Sequence, residues 1–221
     1  MQVNDFQNII MSIKYEILQD ELEYLKLLKV IGNNQKYDFN SQLSIYNKEP
    51  NARACASFDM WKTHFNRAVM RGQKGIPILI DQGIFQKVSY IFDVSQTTSR
   101  NRDVNEVNLW QFDHENYPKL LKDLIAENNY EAGDSLNENL FSLARIYGDD
   151  WIDLLVADLR IEIQDRNAFN KFMRDSISYA VGQRFNHEYP IYMENLKNNF
   201  SQLDLISLES VGLMVSRVSE N

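Results

Sequence analysis

The chain has 221 residues, 44% of them hydrophobic and 12% aromatic, which is enough apolar material for a core and too much for a disordered chain. Its single cysteine, Cys55, excludes an internal disulfide and a thiolate-based metal site, and fits a reducing, cytoplasmic setting. The net charge of −8 hides a division: residues 1–50 carry −2, residues 51–102 carry +5 and residues 103–221 carry −11, so a basic island sits inside an acidic protein.

No stretch approaches the ~18 uninterrupted apolar residues of a membrane span. The N-terminus MQVNDFQNII lacks the positive and apolar regions of a leader, so neither a membrane partner nor a targeting signal is expected. Glycine and proline are scattered, with no composition typical of a flexible linker and no internal repeat.

From Asp5 to Ile31 the residues Phe6, Ile9, Ile10, Ile13, Ile17, Leu18, Leu22, Leu25 and Leu28 recur at helical spacing. The pattern predicts one long helix capped by Asn4 or Asp5, with the charged run QDELE on its solvated face. A second helix is expected over Asp38–Tyr46, ending before Pro50. Ala52–Ala56 reads as a short strand or a tight connection, and Ser57 or Asp59 as the cap of a helix that holds Met60, Trp61 and Phe65.

The period then changes from about 3.6 to 2. Arg67–Met70, Ile76–Ile80 and Lys87–Val94 read as strands, Arg71–Gly75 and Asp81–Gly83 as turns, and Pro77 places the middle strand at an edge or at its own start. Alternation puts Val88, Tyr90 and Phe92 on one face of the last strand, expected to be the core, and Ser89, Ile91 and Asp93 on the other. TTSRNRDVNEVN is polar, without a defined course. Helices follow at roughly 115–128, 136–147, 149–168 and 169–183, with one or two more near 189–219. In the third of these regions Ile152, Leu155, Val156, Leu159 and Ile163 oppose Asp150, Asp153, Asp158, Glu162 and Asp165, the pattern of an ordinary solvated helix. The expected fold class is α+β: a small antiparallel sheet packed with N-terminal helices over residues 1–105, followed by an acidic, mostly helical region over 106–221 packed on it.

Familiar catalytic signatures are missing. There is no GxSxG, no Cys/His pair and no GxxxxGK[ST]. His187-Glu188 begins the HExxH of a zinc protease, but Ile191 stands where the second histidine must be. His64, His114 and His187 read as surface or capped residues, and no cofactor, metal or catalytic residue is expected. Gly72-Gln-Lys-Gly75 has two readings: a loop whose backbone amides approach phosphates, or a glycine-bearing hairpin turn. Arg67, Arg71 and Lys74 cluster there with Lys62 close in sequence, and Trp61, Phe58, Phe85, Tyr90 and Phe92 interleave with them. That mixture of cations and aromatic faces is what single-strand binders use.

Asn40, Leu43, Ile45 and Pro50-Asn-Ala52, then Phe58 and Trp61, Arg71-Gly-Gln-Lys-Gly-Ile-Pro-Ile78 and Phe92-Asp-Val-Ser-Gln-Thr97, in this order and spacing, resemble the N-terminal single-stranded-DNA-binding domain of the ArdC-like antirestriction family. The resemblance covers roughly residues 1–100. It implies a non-catalytic, cytoplasmic module of a mobile genetic element, bound to transferred single-stranded DNA during conjugation. Lys62, Arg67, Arg71, Lys74 and Lys87 would then contact phosphates, Gly72 and Gly75 would shape the turn, and Trp61 or Tyr46 would offer a stacking surface. The HExxH peptidase region found in ArdC is missing, so no protease is carried over. The helices after about residue 110 resemble the continuation seen in large mobile-element proteins. The end at Arg217–Asn221 has no helix stop, as expected of a piece of a longer chain with further domains. The competing expectations are a protein inhibitor of a host restriction or CRISPR nuclease, acting through the acidic helical half, and a purely structural module.

Overall fold

The apolar period between Phe6 and Leu28 runs through two helices, not one. The computed structural model of the protein describes residues 1–83, 85–101, 107, 113, 115–158 and 163–220. In it α1 covers Val3–Ile17 and α2 covers Glu21–Asn33. Asp20 makes the break. Its carboxylate accepts from the Leu22 amide and caps α2, a role in which a short acceptor side chain stabilises more than it does inside a helix. Gln2, rather than Asn4 or Asp5, caps α1, and Asp5 accepts in return from the Gln2 amide. Leu22, expected on the apolar face, is exposed.

α3 (Phe39–Lys48) follows, capped by Asp38, which accepts from both the amide and the hydroxyl of Ser41. β1 (Cys55–Ser57) leads into α4 (Phe58–Thr63), capped by the Ser57 hydroxyl. β2 (Arg67–Val69), β3 (Ile76–Asp81), β4 (Gln86–Asp93), a 3-10 turn over Val94–Gln96 and β5 (Thr97–Ser99) complete the strands. They form two antiparallel sheets, β1-β4-β3 and β2-β5. β3 is an edge strand, which accommodates Pro77. Because β2 and β3 lie in different sheets, the loop at 70–75 is a crossing between sheets and not a hairpin turn. The fold class is α+β, as the sequence implies.

The helical part holds α5 (Tyr117–Glu127), α6 (Leu136–Asp158), α7 (Arg166–Arg184), α8 (Met193–Phe200) and α9 (Leu205–Glu220). α6 runs straight through Gly148, where a helix boundary was expected. A Cβ there would lie 3.0 Å from Ile177 Cδ1, so the glycine lets α7 approach closely. Asp165, assigned to the acidic face, caps α7 by accepting from the Asn167 and Ala168 amides. Leu159, Glu162 and the stretch 102–106 lie outside the described residues. No helix among the described residues is long and apolar enough to cross a membrane.

One hydrophobic core runs across the boundary expected near residue 105. Phe6, Ile10, Ile13, Tyr24, Leu27 and Leu28 belong to the same buried cluster as Phe169, Phe172, Ile177 and Leu208. Tyr24 is fully buried between the rings of Phe172 and Phe200, at 5.8 and 5.1 Å, and its hydroxyl donates to Ser176 Oγ. That bond satisfies the one polar atom such a site would otherwise strand. Gly32 of α2 lies against the backbone of Ala180 in α7, and the Phe39 ring of α3 fills the space where a side chain on Gly212 of α9 would be. Lys14, 3% exposed, reaches Glu209 at 2.8 Å and ties α1 to α9.

Because overpacking a tight core costs about 1–3 kcal/mol, Gly212→Ala should lower the unfolding free energy by that amount, read as a lower urea midpoint with the m value unchanged. An unchanged midpoint would mean that Phe39 does not occupy this site.

Candidate nucleic-acid interface

The Phe92–Thr97 segment is a hydrogen-bond hub. Asp93, 1% exposed, accepts through Oδ1 from the amides of Arg53 and Ala54 at 2.9 Å, and through Oδ2 from the Ser95 amide. Gln96 Oε1 accepts from the Asp93 amide. Thr97 Oγ1 donates to Val94 O and accepts from Arg67 Nε at 2.7 Å, while Arg67 Nη2 donates to Thr97 O. A buried carboxylate needs such partners to stay charged away from water. This one uses them to hold the approach to β1 and the exit from β4 together.

The same hub positions the basic loop. Gln96 Nε2 donates to Lys74 O at 3.0 Å and to Gln73 Oε1, Met70 N donates to Gln96 O, and Gln73 N donates to Met70 O. Gly72 has φ +88° with open space around it, so backbone conformation, not crowding, calls for glycine there. Gly75 is needed for the other reason. A Cβ on it would lie 2.9 Å from Tyr90 Cβ and 3.2 Å from Phe92 Cζ, so the loop rests directly on the aromatic face of β4.

Tyr90 and Phe92 reverse the sequence expectation. Ile91, paired with Ile76, is 2% exposed and faces the helices with Asp93, whereas Tyr90 is 45% exposed on the opposite face. Alternation identifies the two faces correctly. It misassigns the inner one because an aspartate looks like a surface residue, and here it is the buried cap.

The expected contact residues divide into three groups. Lys62 on α4, and Arg71 and Lys74 on the loop, are exposed, and none has an ion-pair partner among the described residues. α4 packs against β2, the strand from which the loop leaves, so all three belong to one end of the structure. Lys87 is exposed but separate: it is four residues from Ile91 along β4, about 13 Å at strand rise, and on the face opposite Tyr90. Arg67, 8% exposed, is bound up with Thr97 and is structural.

Neither expected stacking residue is available. Trp61 is 1% exposed, its indole N–H donates to Phe92 O at 2.8 Å, and its ring lies against Phe65. Tyr46 is buried on α3 and donates to the Glu23 carboxylate, and burial pushes its hydroxyl pKa up. Both are scaffold, because a ring already packed on the protein interior presents no free face to a base. The exposed rings are others: Tyr90 beside Gly75, which the sequence counts among the interleaved aromatics but assigns to the core, Phe58 on the first turn of α4, and Phe65, which the sequence places on that helix but not among the interleaved aromatics.

No family model matches the chain, and no curated protein or solved structure matches it.

Among the described residues no three His, Cys, Asp or Glu side chains converge where they could hold a metal ion. His64 Nδ1 shares a hydrogen bond with Thr63, and His187 Nε2 shares one with Asn137. His114 lies outside the described residues. Burial, with Asp93 adding to it, pushes the Cys55 thiol up, so it stays protonated at neutral pH.

Asp93→Ala strands three buried or half-buried amides and should lower stability by about 2–4 kcal/mol. Gln96→Ala should leave the denaturation midpoint within about 1 kcal/mol of wild type and speed hydrogen exchange at Gln73. Equal loss of stability in both variants would show that the hub and the loop are not separable in this way.

Proposed function

We propose that this protein is a non-catalytic, cytoplasmic single-stranded-DNA-binding module of the antirestriction type carried by mobile genetic elements. The reading rests on one observation: Lys62, Arg71 and Lys74 are exposed with no ion-pair partner among the described residues, and the loop that carries Arg71 and Lys74 rests on β4 at the exposed Tyr90, while several cations of the helical half are paired within the fold. Arg174 binds Asp149 through two bonds of 2.8 and 2.9 Å, Arg166 reaches Asp153 at 2.7 Å, and Lys171 reaches Asp175 at 2.6 Å. Unpaired cations draw a polyanion, and a free aromatic face adds about 1–3 kcal/mol for each stacked base without regard to sequence.

The resemblance to ArdC-like domains supports the choice of single-stranded DNA. Its two most specific blocks, RGQKGIPI and FDVSQT, join here through the Gln96–Lys74 bond into one unit. Ten Lys/Arg interspersed among the twenty-one Asp/Glu after residue 102 weigh against a DNA mimic, and three of those acids, Asp149, Asp153 and Asp175, are paired with cations of the fold itself.

An anisotropy titration with an unstructured oligonucleotide of about 20 nucleotides should give salt-dependent binding, with a log–log slope near −2 for about three phosphates neutralised. Arg71→Glu with Lys74→Glu should weaken it at least about ten-fold at low salt, and Tyr90→Ala by about the energy of one stacked base. Trp61→Phe should matter only through stability. Absent binding at low salt, or binding indifferent to the charge reversals, would remove this reading.

A further inference from the structure

A cavity lies in the helical half. α5, α6, α7 and α9 form this partly open space of about 200 Å³, lined mainly by Leu121, Leu124, Leu140, Leu143, Ala144 and Tyr147. Besides the Tyr147 hydroxyl, two polar side chains break this apolar wall. Arg184 is on the lining, and no carboxylate among the described residues pairs with it. Ser219, 1% exposed, is on the lining beside it, and its hydroxyl has no hydrogen-bond partner among the described residues.

Two acceptors hold the guanidinium. Nη1 donates to Ser219 O at 3.1 Å, and Nη2 donates at 3.0 Å to the Gln35 side-chain oxygen, in the amide orientation that also lets the Gln35 nitrogen donate to Gly32 O. Burial lowers its pKa from the usual guanidinium value. Both acceptors are neutral, and a half-buried cation with only neutral acceptors is a costly arrangement that an anion relieves. A buried hydroxyl without a partner carries a similar, smaller cost.

We propose that this cavity binds a small amphiphilic monocarboxylate, its carboxylate on Arg184 and the Ser219 hydroxyl and its apolar body among the leucines of α5 and α6. Size limits the choice. An apolar cavity of about 150 Å³ takes up benzene, so this one suits bodies between about benzoate and octanoate in size. Arginine suits a carboxylate because its planar N–H fork can meet two oxygens at once. The site does not depend on nucleic-acid binding.

The test uses sodium octanoate and 1-octanol with the full chain, followed by calorimetry and by methyl chemical shifts. Octanoate should bind at least about ten-fold tighter than the neutral alcohol, the ratio expected of a charge-assisted hydrogen bond. It should shift methyl resonances of Leu121, Leu124, Leu140 and Leu143 in the wild-type protein. Arg184→Met should erase the preference for the anion, and Leu140→Trp should block both ligands. The wild-type shifts decide the matter even if a variant does not fold. Equal affinity for acid and alcohol, no binding of octanoate, or shifts confined to other residues would overturn the proposal.

Discussion

The carboxylate of Asp93 is the constraint on which the sheet end of the molecule depends. A group so deeply buried is tolerated only if its lone pairs are filled, and the donors that fill them come from Arg53, Ala54 and Ser95. Filling them brings the residues before β1 against the end of β4 and turns the chain toward β5. Gln96 and Thr97 then extend the same network to the basic loop and to Arg67. The loop is therefore held at its Lys74 carbonyl while the side chains of Arg71 and Lys74 stay in water.

A second constraint operates across the helices. Gly32 and Gly212 permit contacts that no Cβ would allow, one with α7 and one with the ring of Phe39. These contacts make the N-terminal helices part of the same core as α7 and α9, with Tyr24 and Lys14 supplying polar links. The basic sheet end and the acidic helical half thus differ in charge while sharing a core. Some acids there serve inside the fold as caps, as Asp165 does, or as ion-pair partners, as Asp149 does. Lys62, Arg71 and Lys74 at the sheet end have no ion-pair partner among the described residues.

Much of this was legible in the sequence, for identifiable reasons. The α+β class, the helix at Asp38–Tyr46, the strands after Arg67 and the cap at Ser57 follow from period and side-chain chemistry. The break at Asp20 was also legible, since Asp20 with Glu23 is a helix-start signature, but the continuous apolar stripe outweighed it. The burial of Trp61 and Tyr46 was not legible, because an aromatic beside cations looks the same whether it stacks on a ligand or on the core. Arg67 misled for a similar reason: its partner Thr97 is thirty residues away and is brought near only by the β2–β5 pairing. The Arg184 cavity had no sequence signal at all, since it arises from four helices meeting.

The central claim is that the loop and the Tyr90 face form the binding surface while Trp61 belongs to the scaffold. The most direct measurement is a chemical-shift titration of the labelled wild-type protein with unlabelled single-stranded DNA. The account predicts that the amides of Gly72 and Gly75 and the ring of Tyr90 shift and broaden, while the Trp61 indole N–H, bonded to Phe92 O, stays in place. Shifts centred on α6–α9, a displaced Trp61 indole signal, or an unperturbed loop at saturating DNA would contradict it.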